Sequence, residues 1–185
     1  MGVTLWWIPV VGYLLGTILP ADYIVRARRG ASPPEFGENY GTAATWRLVG
    51  PGPALLVFAW DFLKGAVTVY LALHYAAPPA VLVLAAMAPV LGHNWPVQRR
   101  FRGGRGLAAT IGTLVVLAPQ AYVPAILAGV SVALYKRRTP WVGYVGLPLG
   151  LVLGLWLHLP AAHLLASFAV SLLLLLRQLQ WGNWS

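Results

Sequence analysis

The segment LGHNWPVQRRFRGGRG, residues 91–106, gathers Arg99, Arg100, Arg102, Arg105, Gly103, Gly104 and Gly106 within eight positions. In a chain that is 59% hydrophobic and only 9% charged, such a cluster serves something other than an apolar core. The chemistry it fits is the holding of an anion. Glycines let backbone N–H groups converge without a Cβ in the way, and a helix starting near Gly106 would aim its positive end at the same spot. Arginine adds a planar, permanently charged fork matched to phosphate. No Lys-Ser or Lys-Thr follows the last glycine, so this is not a P-loop. His93, in the apolar run just before the cluster, has the chemistry of a general base or of a donor to a phosphate oxygen. The competing reading is an ordinary basic loop lying on anionic lipid headgroups.

Two other segments carry residues of the same kind. The stretch 26–52 contains Glu35, Glu38, Asn39, Thr42, Thr45 and Arg47 among Gly30, Gly37, Gly41, Gly50 and Gly52. It is longer than a turn requires, and its glycines, amides and hydroxyls suit a polyol phosphate. Within AWDFLKG, Asp61 and Lys64 stand at i and i+3 on one helical face, where they either neutralise each other or mark a site, and in both cases face protein rather than lipid. His74, His158 and His163 fall at the ends of apolar runs, as interfacial residues do. No His or carboxylate cluster has metal-ligand spacing, so neither metal nor cofactor is expected, and without cysteine there is no thiolate chemistry.

The elements that must position these groups are apolar helices. Seven apolar stretches run over about 3–25, 53–75, 80–97, 107–119, 121–135, 141–157 and 161–176. Nine tryptophans and eight tyrosines suit a bilayer with two interfaces. The net charge of +9 does not indicate nucleic acid, because every Lys and Arg except Lys64 lies in alternate breaks or in the tail. The positive-inside rule then puts the N-terminus outside and the C-terminus in the cytoplasm of a seven-span, all-α protein. The first stretch reads as one retained helix, with no basic segment ahead of it to mark a cleaved signal. Residues 1–185 read as a single integral membrane domain, and the absence of repeat halves argues against a transporter. The stretch 107–119 covers only about 20 Å of a hydrocarbon core roughly 30 Å thick, so the basic loop before it dips inward or the bilayer thins, and either way residues 99–106 lie below the headgroup surface, at the mouth of a pocket.

The order GYLLGTILPADYIV, N-Y-G, W-R-L-V-G, WDFLKG, LGHNWPV, F-R-G-G-R-G-L-A-A-T-I-G and YKRR, from about Gly12 to Arg138, resembles the bacterial membrane glycerol-3-phosphate acyltransferases that use acyl phosphate as donor. The resemblance implies seven helices and transfer of a fatty acyl group from acyl phosphate to the 1-hydroxyl of glycerol 3-phosphate, in a cell-membrane protein working toward the cytoplasm. By the same resemblance, His93, Arg105 and Arg47 are catalytic. Asn39, Gly41, Arg102, Gly103, Gly104, Gly106 and Lys64 hold substrate phosphate, with Glu38, Asp61, Lys136 and Arg137 as further candidates. Arg102 and Arg105 stand where the family's pattern has lysines. Gly37 replaces its serine, Ala44 its second asparagine, and Glu38 adds a charge and a conceivable base. The family's C-terminal basic stretch is reduced to Arg177 and Asn183. The alternative is a catalytically silent relative that binds anionic lipid or a membrane partner.

Overall fold

The computed structural model describes residues 4–182, so Asn183 lies outside the described residues. These fold into nine α-helices and no strand: α1 (Trp7–Thr17), α2 (Pro20–Arg29), α3 (Thr42–Val49), α4 (Pro51–His74), α5 (Pro79–Asn94), α6 (Leu107–Leu117), α7 (Pro119–Lys136), α8 (Trp141–Trp156) and α9 (Ala161–Gly182). Proline sits in the first turn of α2, α4, α5 and α7, where its missing N–H costs nothing and its fixed φ suits the helix. Four segments, 7–29, 51–74, 79–99 and 161–180, are long and apolar enough to cross a membrane, while α6 and α8 are shorter apolar helices.

The first stretch is not one helix. Pro20 pushes the residue before it out of the α region: Ile18 is extended and Leu19 lies at φ −113°, ψ 90°, so α1 stops at Thr17 and α2 starts afresh. The break frees carbonyls that a continuous helix would have used. Lys64 of α4 takes two of them, donating from Nζ to Gly16 O at 3.1 Å and Ile18 O at 3.3 Å. The second departure is α3, a helix inside what reads as a long polar loop.

Helix α5 is the hub, packed against α1, α4, α6 and α9. Its contact with α1 is made backbone to backbone: a Cβ on Gly16 would stand 2.9 Å from Gly92 Cα, too near for any side chain. Around it lies an apolar core that includes Ile8, Val69, Val90, Leu114, Tyr122 and Val170. A smaller cluster of Leu19, Ala21, Tyr40 and Val57 seats α2 and the following loop on α4. On the outside Leu55, Leu56, Leu155, Trp156 and Leu165 stay exposed, a surface that lipid satisfies and water would not.

Candidate active site

The three basic breaks and the tail meet at one cavity of about 540 Å³. Asn39, Gly41 and Arg47 reach it from the first loop and α3, Asp61 from α4 and His93 from α5. Arg105 and Gly106 come from the glycine loop, Thr139 and Pro140 from the break before α8, and Gln178 from α9. Two helices begin there. Gly41 precedes α3 and Gly106, at φ +77°, precedes α6, and Gly41 to Ala43 and Gly106 to Ala108 both line the wall. First-turn amides lack partners inside their own helix and carry the positive end of its dipole, so two such termini in one cavity favour an anion. Residue 106 is glycine because the turn into α6 is left-handed and because a Cβ there would stand 2.6 Å from Asn94 Oδ1.

His93 is 2% exposed and fixed from behind. Lys64 Nζ lies 2.8 Å from His93 Nδ1 and 2.7 Å from Asp61 Oδ1, while Asp61 Oδ1 is 3.3 Å from His93 Nδ1. An ammonium only donates, and here its partners are a carboxylate, two carbonyls and Nδ1. Three protons cannot serve all four, and with Nδ1 accepting one of them neutral His93 carries its own proton on Nε2. Nε2 lies against Gly104, where a Cβ would collide with the ring. The imidazole thus offers the site a donor.

The glycine loop is built differently from the expectation. The N–H groups of Gly103 and Gly104 do not converge on open space: they donate to Asn94 O (3.1 Å) and His93 O (2.9 Å), folding the loop back over the end of α5. Their carbonyls are held in turn by Arg177, whose Nε donates to Gly104 O at 2.9 Å and Nη2 to Gly103 O at 3.1 Å while its guanidinium lies over Trp95. The backbone amides open to an anion are those of α3 and α6. The two glycines are small so that the loop can close on His93.

Among the described residues, Lys64, Glu38, Arg102, Gly103, Gly104, Lys136 and Arg137 do not line the cavity. Lys64 is spent on Asp61, His93 and the α1–α2 break; Arg102, Lys136 and Arg137 are exposed. Glu38 grips Arg47, Oε1 accepting from Nε and Oε2 from Nη2, both at 2.6 Å, and this bond favours the charged guanidinium. Burial works against the charge of Arg105, Arg47 adds to that effect, and the Glu38 carboxylate opposes it. Arg177 is the residue whose reach the sequence least suggests. Its signal is that it is the lone Lys or Arg in α9, directly after the last apolar stretch. Asp22, 2% exposed, holds Arg26 at 3.1 Å and Arg99 at 2.6 Å, tying the start of the basic loop to α2.

Fold and cavity together define an integral membrane protein with a cationic pocket bounded by helix N-termini and opening toward apolar walls. Residues 6–182 match the profile of the glycerol-3-phosphate acyltransferase family. Glycerol-3-phosphate acyltransferase 2 of Moorella thermoacetica is 33% identical over 172 residues, 89% of this chain and 84% of that one. A glycerol-3-phosphate acyltransferase of Thermus thermophilus is 34% identical over 184 residues, covering 96% and 92%. The crystal structure of an integral membrane glycerol 3-phosphate acyltransferase in its glycerol 3-phosphate form superposes with a TM-score of 0.89 over 98% of this chain and 91% of that one, and at 24% identity it speaks to the fold. This chain belongs to the glycerol-3-phosphate acyltransferase family. It is a membrane acyltransferase, and nothing in these likenesses favours the silent alternative.

Proposed function

We propose that the protein moves a fatty acyl group from acyl phosphate to the 1-hydroxyl of glycerol 3-phosphate, releasing inorganic phosphate and 1-acyl-glycerol 3-phosphate for phospholipid synthesis. The observation that carries this reading is the convergence of two helix N-termini, Arg47, Arg105 and His93 on one cavity that adjoins an apolar groove. The groove, about 380 Å³ between α8 and α9, shares Leu107, Pro140 and Gln178 with the cavity and is otherwise walled by residues such as Leu147, Leu151 and Phe168. An acyl tail fits the groove while two phosphoryl groups occupy the cationic end.

Asn39, Gly41 and the first-turn amides of α3, with Arg47, hold one phosphoryl group; Gly106, the α6 amides and Arg105 hold the other. Bringing hydroxyl and acyl carbon together in this frame supplies much of the acceleration. Attack forms the new ester C–O bond and breaks the acyl C–O bond to phosphate. The proton lost by the hydroxyl equals the proton gained by the departing phosphate, so the site needs no net acceptor of its own. His93, with its proton on Nε2, donates to an oxygen on which charge develops. The whole chain acts as one seven-span unit with the N-terminus outside and the cavity toward the cytoplasm, supported by the basic breaks that share this cavity.

The test is direct: purified protein, acyl phosphate and labelled glycerol 3-phosphate give labelled lysophosphatidate, and failure to form it with folded protein sinks the reading. His93→Ala and Arg105→Ala each lower turnover by about 10²-fold or more. Turnover unchanged in both removes the residue assignments while leaving the reaction standing.

A further inference from the structure

Arginine holds phosphate best along one edge of its fork, with Nε and one Nη donating in parallel to two oxygens. In Arg47 that edge is already taken: both of its donors go to the carboxylate of Glu38 at 2.6 Å. The pair is not locked in the interior. The Arg47 side chain is 56% exposed and that of Glu38 20%, so an incoming anion can reach the guanidinium and water can receive the released carboxylate. Glu38 also acts beyond its direct partner, since its charge is felt by Arg105 on the cavity wall. A carboxylate in the field of both cavity arginines holds the electrostatic position of an anionic ligand.

We propose that Glu38 is a built-in competitor for the substrate phosphate, occupying the Arg47 fork until a phosphoryl group displaces it. This rests on the reaction proposed above and assigns Glu38 a task distinct from that of a catalytic base, for which a carboxylate with both oxygens engaged is poorly placed. The consequence is a threshold on affinity. Every anion that uses the fork must displace the same carboxylate, so its apparent affinity falls by the same factor. A phosphate monoester dianion binds the fork strongly enough to meet that cost, whereas a weakly held monoanion leaves the fork with Glu38.

Glu38→Gln keeps the size and removes the charge. The KM for glycerol 3-phosphate then falls about two- to five-fold, the range set by an exposed ion pair, and inhibition by inorganic phosphate tightens by a similar factor. In an Arg47→Lys background, where no fork exists to contest, the same substitution changes KM less. A KM that stays level or rises in Glu38→Gln overturns the proposal, because it makes Glu38 a residue that merely braces Arg47. If the wild-type protein forms no lysophosphatidate, the reaction itself is wrong. Calorimetry with inorganic phosphate on the purified full-length protein then decides the matter for Glu38: tighter binding by Glu38→Gln upholds the competitor, and equal or weaker binding overturns it.

Discussion

Lys64 has three protons and four acceptors around it, and that imbalance makes it the most informative single residue. It neutralises Asp61 in the interior, presents a donor to His93 Nδ1 and satisfies carbonyls at the α1–α2 break. The Asp61–Lys64 pair was legible from the i, i+3 spacing; its third and fourth partners were not, because they belong to a helix 48 residues away whose interruption depends on Pro20. Removing only the cation leaves a carboxylate buried without it. Lys64→Met therefore lowers stability by about 3–5 kcal/mol, read as a fall in the thermal midpoint in detergent. The double variant Asp61→Asn, Lys64→Met removes both charges and recovers most of that loss. It stays slow nonetheless, since nothing then forces the His93 proton onto Nε2, and turnover equal to wild type in a stable double variant would refute the tautomer argument.

The working unit at the next scale is a clamp: the end of α5, the glycine loop laid over it, and α9 reaching across through Arg177. Gly104 is where the loop passes closest to the His93 ring, and a methyl group there meets both the ring and the Tyr40 carbonyl, so ring and loop shift together. Gly104→Ala lowers kcat by about 10²-fold, the effect of a misplacement near 1 Å, and also lowers the thermal midpoint. Gly52→Ala is the control, because a Cβ at that position meets nothing within 4 Å, and its kcat stays at the wild-type level. What the sequence disclosed at this scale followed from local physics. The start of α6 after Gly106 and the apolar helix carrying His93 are readable from the glycine and from hydropathy. Helix α3 was hidden because TAATWRLV has no long apolar face and lies between glycines, so its helicity depends on packing against α4. The use of the Gly103 and Gly104 amides was hidden for a related reason: whether a glycine N–H is open depends on which carbonyl the chain brings to it.

Across the whole molecule the charge pattern made the strongest statement available from sequence, that the segments near 26–52, 98–106 and 136–140 and the tail share one side. All four contribute residues to a single cavity, which fits that statement and leaves the direction of the chain through the bilayer to be measured. The chain has no cysteine, so each introduced thiol reports alone. With N outside and seven crossings, Arg28→Cys and Arg138→Cys, both at exposed positions, resist a charged, membrane-impermeant maleimide in intact cells and react once the cells are opened. Ala80→Cys beside the α4–α5 turn and Ala161→Cys beside the α8–α9 turn react from outside. Gln120→Cys is the discriminating position, because α6 has 11 residues and spans only about 16 Å at the helical rise, short of the bilayer core. Labelling of Gln120→Cys from outside requires the bilayer to thin or water to enter above α6, and supports seven crossings. Labelling from the cytoplasmic side alone would make α6 and α7 a re-entrant pair, reduce the crossings to five and place the loop from Arg99 to Gly106 on a hairpin that enters and leaves the same face. The reverse pattern at the other four positions would invert the topology and move the site to the outer face.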